Sequence, residues 1–144
     1  MVSVPAWLPD SNVWSEAMRP VPDAGVIGSL QRNEATLALA ATVWHELRYG
    51  WLRMPAGRRR DLIGSYLHDV LALLPLVPYD GAAARIHAEI RAERERSGHP
   101  LPFADGQIAA IAIAQGLTLV TRNTRDFGGI SGLRLEDWHR AAPG

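Results

Sequence analysis

The apolar positions fall into short blocks separated by proline and glycine, and the spacing inside each block assigns it to strand or helix. Residues 4–8 (VPAWL) form a short apolar stretch that runs into Pro9, Asp10, Ser11 and Asn12, a cluster of turn formers. Asp23 is placed to cap a short helix over 24–31. TLALA at 36–40 reads as a buried strand. Trp44, Leu47, Trp51 and Met54 then recur at helical spacing and give a helix over 42–53 its core stripe. After the Pro55-Ala56-Gly57 break, Leu62, Tyr66, Val70 and Leu73 predict one amphipathic helix over 58–74 with those four on its inner face. Residues 75–78 are a very short edge strand or an extended link, and Asp80 caps a long helix over 81–96 whose charged later turns read as a solvated face. The segment 103–115 (FADGQIAAIAIAQ) is helical and too apolar all round to lie on a surface, and Gly116 is placed to end it. Residues 117–121 follow as a buried strand, with 133–135 a candidate for another. Strands alternating with helices predict an α/β fold: one domain over 1–144, with a mostly parallel central sheet flanked by helices.

Composition removes several chemistries. The 144 residues hold no Cys, which excludes disulfides, thiolate metal sites and a cysteine nucleophile. All 15 residues counted as Lys+Arg are Arg, so Schiff-base chemistry and a GxxxxGK[ST] phosphate loop are also excluded. These 15 cations balance 15 Asp+Glu, so any nucleic-acid site must be local rather than a property of the whole surface. The longest apolar run, 70–78, is broken only by proline and falls far short of the roughly 20 residues that span a bilayer. Residues 1–4 carry no basic side chain, a poor start for a signal peptide, and the expected location is cytoplasmic.

In open α/β sheets ligands bind beyond the carboxyl ends of the strands. Asp10 follows the first apolar stretch, Asp126 lies a short loop past the 117–121 strand, and Asp105 opens the buried helix leading into that strand. Glu46 sits one position before the core residue Leu47. Singly, each has a structural explanation as a cap, a turn residue or an exposed helix residue. Together the electrostatics differ. Carboxylates about 5 Å apart repel by about 3 kcal/mol per pair at an effective dielectric near 20, and six such pairs reach on the order of 15–20 kcal/mol. Four acids so converging would hold protons or bind a divalent cation. An all-oxygen donor set favours Mg²⁺ or Mn²⁺ over Zn²⁺.

The motifs that carry these acids resemble those of the PIN-domain ribonucleases and, among them, the VapC-type toxins of toxin–antitoxin pairs. Asp10-Ser11-Asn12-Val13-Trp14-Ser15-Glu16 resembles the family's D-[ST]-N-x-x-S-E, and Glu46-Leu47-Arg48-Tyr49-Gly50 its E-L-x-x-G helix. Pro100 with Ala104-Asp105-Gly106-Gln107-Ile108-Ala109-Ala110 resembles P-x-x-x-x-D-x-x-I-A-A, and Thr121-Arg122-Asn123-Thr124-Arg125-Asp126-Phe127 fits T-R-N-x-x-D-F. The resemblance runs in family order from Asp10 to Phe127. It implies a Mg²⁺-dependent endoribonuclease (Mn²⁺ as a substitute) with the acids Asp10, Glu46, Asp105 and Asp126. Asp10 and Asp105 would be the main metal ligands, and Ser11, Asn12, Thr121 and Asn123 would contact substrate or support the acids. It further implies an RNA substrate, a homodimer and a cognate antitoxin. The other reading is a PIN-fold module that has lost catalysis and only binds a partner; retention of all four acids favours the enzyme.

Other patterns are set aside or left open. His45-Glu46 lacks the second histidine of HExxH, because position 49 is Tyr49. Asp126-Phe127-Gly128 spells a kinase motif in a chain without lysine. The five His read as surface or partly buried bystanders, and the five Trp as core and interface anchors. Arg58-Arg59-Arg60 opposes the dipole at a helix start and suits either RNA phosphates or an acidic antitoxin segment. Trp14, Val26, Ile27 and Leu30 exceed what one small sheet face covers, which predicts their burial in a dimer. Pro5 and Pro9 restrict the first strand to about 6–8, and Gly106 weakens the first turn of its helix.

Overall fold

A computed structural model of the chain describes residues 4–140. Residues 1–3, whose lack of a basic side chain bears on the signal-peptide reading, lie outside the described residues. The elements in chain order are β1 (Trp7–Pro9), α1 (Ser11–Ala17), α2 (Ala24–Arg32), β2 (Leu39–Ala40), α3 (Ala41–Leu52), α4 (Arg58–Asp69), β3 (Leu76–Val77), α5 (Gly81–Arg96), α6 (Phe103–Gln115), β4 (Thr118–Val120) and β5 (Arg134–Glu136). All strand pairings are parallel: β4 lies between β1 and β5, and β2 pairs with β3. A bridge between Trp7 and Leu37 joins the two groups, giving the order β3-β2-β1-β4-β5. The chain walks one way from β1 to β3 and then returns to β4 on the other side of β1. That reversal opens a crevice at the carboxyl ends of β1 and β4.

Local signals place the helices. Asp23 caps α2 by accepting from Gly25 N (2.9 Å) and Val26 N (3.1 Å), and Asp80 caps α5 through Ala83 N at 3.0 Å. Gly116 ends α6 in the left-handed region, at φ 67°. The core is built on Leu8, Leu39, Leu119 and Val120 from the strands, with Val13, Val43, Leu67, Ile108 and Ile111 from the helices. Helix α3 packs against α1, α4 and α6, and α5 runs along α6. Among the described residues no helix is long and apolar enough to cross a membrane.

Several expectations are corrected. The turn cluster after Pro9 is a helix start, with Asp10 as the N-cap of α1. The 36–40 strand shrinks to Leu39–Ala40, because Thr36 N and Thr36 Oγ1 both bond Asn33 O and close a 3-10 turn over Glu34–Thr36. The 58–74 helix stops at Asp69 and gives way to a 3-10 turn, Leu71–Leu73. Its inner face is also different: Leu62, Val70 and Leu73 are exposed, whereas Gly64, Leu67 and Leu71 are buried. The indole of Trp51 sets this phase by lying on Gly64, where a Cβ would meet Trp51 Nε1 at 2.8 Å. On α3 the buried residues are Val43 and Leu47, with Trp44 and Trp51 only half-buried. Trp14, Val26 and Leu30 are buried within the monomer, so the reason given for a dimer through them falls away.

The prolines are accommodated by strand alternation. Asp10 N donates toward β4, to Val120 O at 2.9 Å, while Trp7 O accepts from Ala38 N on the β2 side at 2.9 Å. Successive residues face opposite sides, so the N–H that Pro9 lacks would point toward β2, away from the β1–β4 ladder. The strand therefore extends to Pro9 rather than ending at residue 8.

Candidate active site

Asp10 follows β1 at the crevice. Its Oδ1 accepts the N–H groups of Asn12 (3.1 Å) and Val13 (3.4 Å), and its carboxylate accepts the hydroxyl of Thr121, which follows β4. Only 6% of Asp10 is exposed, and burial pushes its carboxyl up to about 6 against the pull of these three hydrogen bonds; nearby Asp105 adds to the rise.

Glu46 reaches the same place from α3. Burial and then the charge of Asp105 hold its carboxyl above the usual range, opposed by His45 and by a hydrogen bond from Ser11. Its Oε1 is buried with no hydrogen-bond partner, an arrangement that costs free energy unless something occupies the site. Asp105 is the third residue of α6, and burial, followed by the charge of Asp126, raises its carboxyl as well. Asp126 is exposed, on the loop after β4. The charge of Asp105 is felt at Asp10 and Glu46, and that of Asp126 at Asp105, so the three other acids expected from the sequence lie within electrostatic reach of Asp105.

The convergence is looser than a closed cage. Among the described residues no three carboxylates or imidazoles are grouped closely enough to hold one ion. Mg²⁺ suits such a place, since it keeps several waters and uses one or two protein carboxylates. The orphaned Glu46 oxygen, the raised carboxyls and the oxygen-only donors fit a hard divalent cation.

The polar neighbours divide the work. Ser11 bonds Glu46, Thr121 bonds Asp10, and Asn12 Oδ1 accepts the Arg122 N–H at 3.5 Å, latching α1 to the loop after β4. Asn123 acts through its backbone: its N–H bonds Thr121 Oγ1 (3.0 Å) and its carbonyl accepts from Asp126 N (3.0 Å). Beside the α1 N-terminus a cleft of about 430 Å³ is lined by Ser11, Asn12, Ser15, Glu16, Arg19, Arg122 and His139.

Four residues carry more than the sequence indicated. His87 is buried, not a bystander: it bonds the Tyr79 hydroxyl at 2.8 Å and stacks edge-on against Phe103. Gly106 is the reason it fits, because a Cβ there would overlap the His87 ring. Arg60 places its guanidinium over Trp51 at 4.8 Å, so only Arg58 and Arg59 of the basic triplet remain exposed. Arg94, in the charge run read as solvated, donates to three carbonyls: His99 O (2.7 Å), Asp126 O (2.9 Å) and Gly128 O (3.0 Å).

A family profile described as PIN domain matches residues 7–132. The chain is 38% identical to the VapC ribonuclease Y4jK of Sinorhizobium fredii, with 82% of this chain and 87% of that one covered. It is 32% identical to a tRNA(fMet)-specific endonuclease VapC of Shigella flexneri, covering 90% of this chain and 95% of that one. It is similar in structure to a chain of the VapBC2 complex of Rickettsia felis bound to a DNA fragment from its promoter. The TM-score is 0.80 at 26% identity, with 94% of this chain and 99% of that chain covered.

Proposed function

Because the chain belongs to the PIN-domain family, among the VapC-type toxins of toxin–antitoxin pairs, we propose that it is an endoribonuclease using Asp10, Glu46, Asp105 and Asp126 with Mg²⁺ or Mn²⁺. The observation that carries this reading is the placement of Asp105 among three other carboxylates, one of which keeps a buried, unpartnered oxygen. Asp10 and Asp105 would hold the ion, with Glu46 and Asp126 completing the site. When bound, such an ion neutralises charge on the scissile phosphate and makes water a competent nucleophile at neutral pH.

The chain's own groups orient these acids. The α1 N–H groups and the Thr121 hydroxyl hold Asp10, and Ser11 occupies Glu46 while leaving Oε1 able to accept from water. Attack by water with the 3′-oxygen as leaving group breaks the P–O3′ bond and yields a 5′-phosphate and a 3′-hydroxyl. Attack by the 2′-hydroxyl would instead require a base and an acid at the scissile bond. Arg19, Arg122 and His139 along the adjoining cleft give the RNA backbone a path to the acids.

The same charges suit a cognate antitoxin, whose Arg or Lys side chain would neutralise Asp10 and Asp105 when metal is absent. A homodimer is part of this proposal, through the exposed Leu62, Val70, Leu73 and Leu76 of α4 and the segment to β3. Sedimentation showing only monomer at micromolar concentration would remove the dimer. The catalytic proposal is tested by the ends of cleaved RNA: a 5′-phosphate and a 3′-hydroxyl are expected, and 2′,3′-cyclic phosphates would refute hydrolysis by water.

A further inference from the structure

We infer that Arg94 is a positioning residue that sets the placement of Asp126 relative to Asp105, an inference resting on the four-acid reading above. Asp126 is exposed on a loop, and the internal bonds that hold this stretch are short-range: Asp126 N to Asn123 O (3.0 Å) and Gly128 N to Arg125 O (3.2 Å). Burial of Phe127 in the core anchors the stretch, and Arg94 adds a long-range polar restraint on either side of it. From α5 its guanidinium spans the carbonyls of Asp126 and Gly128, residues 32 and 34 positions away in the chain. Its third nitrogen, Nε, donates to His99 O in the turn that leads from α5 into α6.

One rigid fork therefore ties the loop carrying Asp126 to the segment that delivers Asp105. Among the described residues Arg94 makes no ion pair, and its three hydrogen bonds go to backbone carbonyls. A guanidinium can serve three carbonyls in fixed directions, whereas an ammonium is a single point of charge on a flexible stem. Helix α5 is itself braced against α6 next to Asp105, where the His87 ring fills the space above Gly106. Helix α5 thus serves as a common support for two acids that repel each other. A misplacement near 1 Å in such a site costs on the order of 100-fold in rate.

The test is a cycle of Arg94→Met and Asp126→Asn, singly and together, with Arg94→Lys as the conservative variant. Two readouts are used: RNA cleavage, and Mn²⁺ affinity by calorimetry without RNA. Arg94→Met is expected to lower kcat by roughly 10-fold or more with KM nearly unchanged, and Arg94→Lys to recover part of it. Mn²⁺ affinity should weaken roughly 10-fold, as when a group supporting a ligand is removed. Neither loss should deepen when Asp126→Asn is already present. Amide exchange at Asp126 and Gly128 should quicken about 10-fold while the rest of the fold keeps its protection. Unchanged kcat and Mn²⁺ affinity in Arg94→Met, or losses that multiply with those of Asp126→Asn, overturn the inference. A wild type that binds Mn²⁺ but shows independent losses removes only the clamp; a wild type that binds no Mn²⁺ removes the four-acid reading with it.

Discussion

Asp10 caps α1 and, buried beside Thr121, holds its proton up to about pH 6, where a surface aspartate has already released it. The sign of the resulting pH dependence follows from its raised carboxyl. Between the unfolded value of 3.8 and the folded value of about 6, the native state binds more protons than the unfolded chain. Stability without metal therefore falls as pH rises through that window, and Asp10 contributes about 3 kcal/mol to the fall. Glu46 and Asp105, also raised, act in the same direction. Asp10→Asn keeps a good N-cap, since asparagine caps helices as well as aspartate. In EDTA the variant should melt higher than wild type at neutral pH and show a flatter profile from about pH 4 to 6. Its RNA cleavage should be lower by roughly 100-fold or more. Melting curves collected across pH check the first expectation, and a variant less stable than wild type at neutral pH would contradict it.

Helix α6 illustrates how an element can look weak in sequence and be required in the fold. Gly106 lowers helix propensity by about 1 kcal/mol relative to alanine, yet it lies where α5 and α6 come closest, under the buried His87 ring. Gly106→Ala should therefore destabilise by about 1–3 kcal/mol despite the gain in propensity. Adding His87→Ala should restore part of the loss, and denaturant titration of the three variants would show whether it does. The elements legible in the sequence were those marked by their own ends: Asp23 for α2, Asp80 and the 81–96 span for α5, and Gly116 for α6. Helix α1 was hidden because a capping aspartate and a turn aspartate look alike in sequence. The inner face of α4 was misread because the Trp51 indole on Gly64, not the apolar spacing, fixes its rotation. The four acids were singled out by their places at strand ends and beside a core face, and then by the motifs that carry them. Arg94 was not, because its partners are backbone carbonyls, which no side-chain pattern marks.

At the scale of the whole molecule, five short parallel strands form the reversal point, and Asp10 after β1, Glu46 on α3, Asp105 on α6 and Asp126 on the loop after β4 approach it from separate elements. Protons and a divalent cation then compete for the same oxygens. Mn²⁺ should raise the melting temperature clearly at about pH 8 and little at about pH 5, where Asp10 is protonated. Equal shifts at both would show that the ion binds elsewhere. The central claim, that these acids act on RNA with a bound divalent ion, is tested most directly by cleavage of RNA by the purified chain in EDTA and after restoring Mg²⁺, beside Asp10→Asn and Asp105→Asn. EDTA is expected to stop cleavage and Mg²⁺ to restore it in the wild type, while neither variant recovers. Undiminished cleavage in EDTA, or wild-type rates in either variant, would contradict that claim.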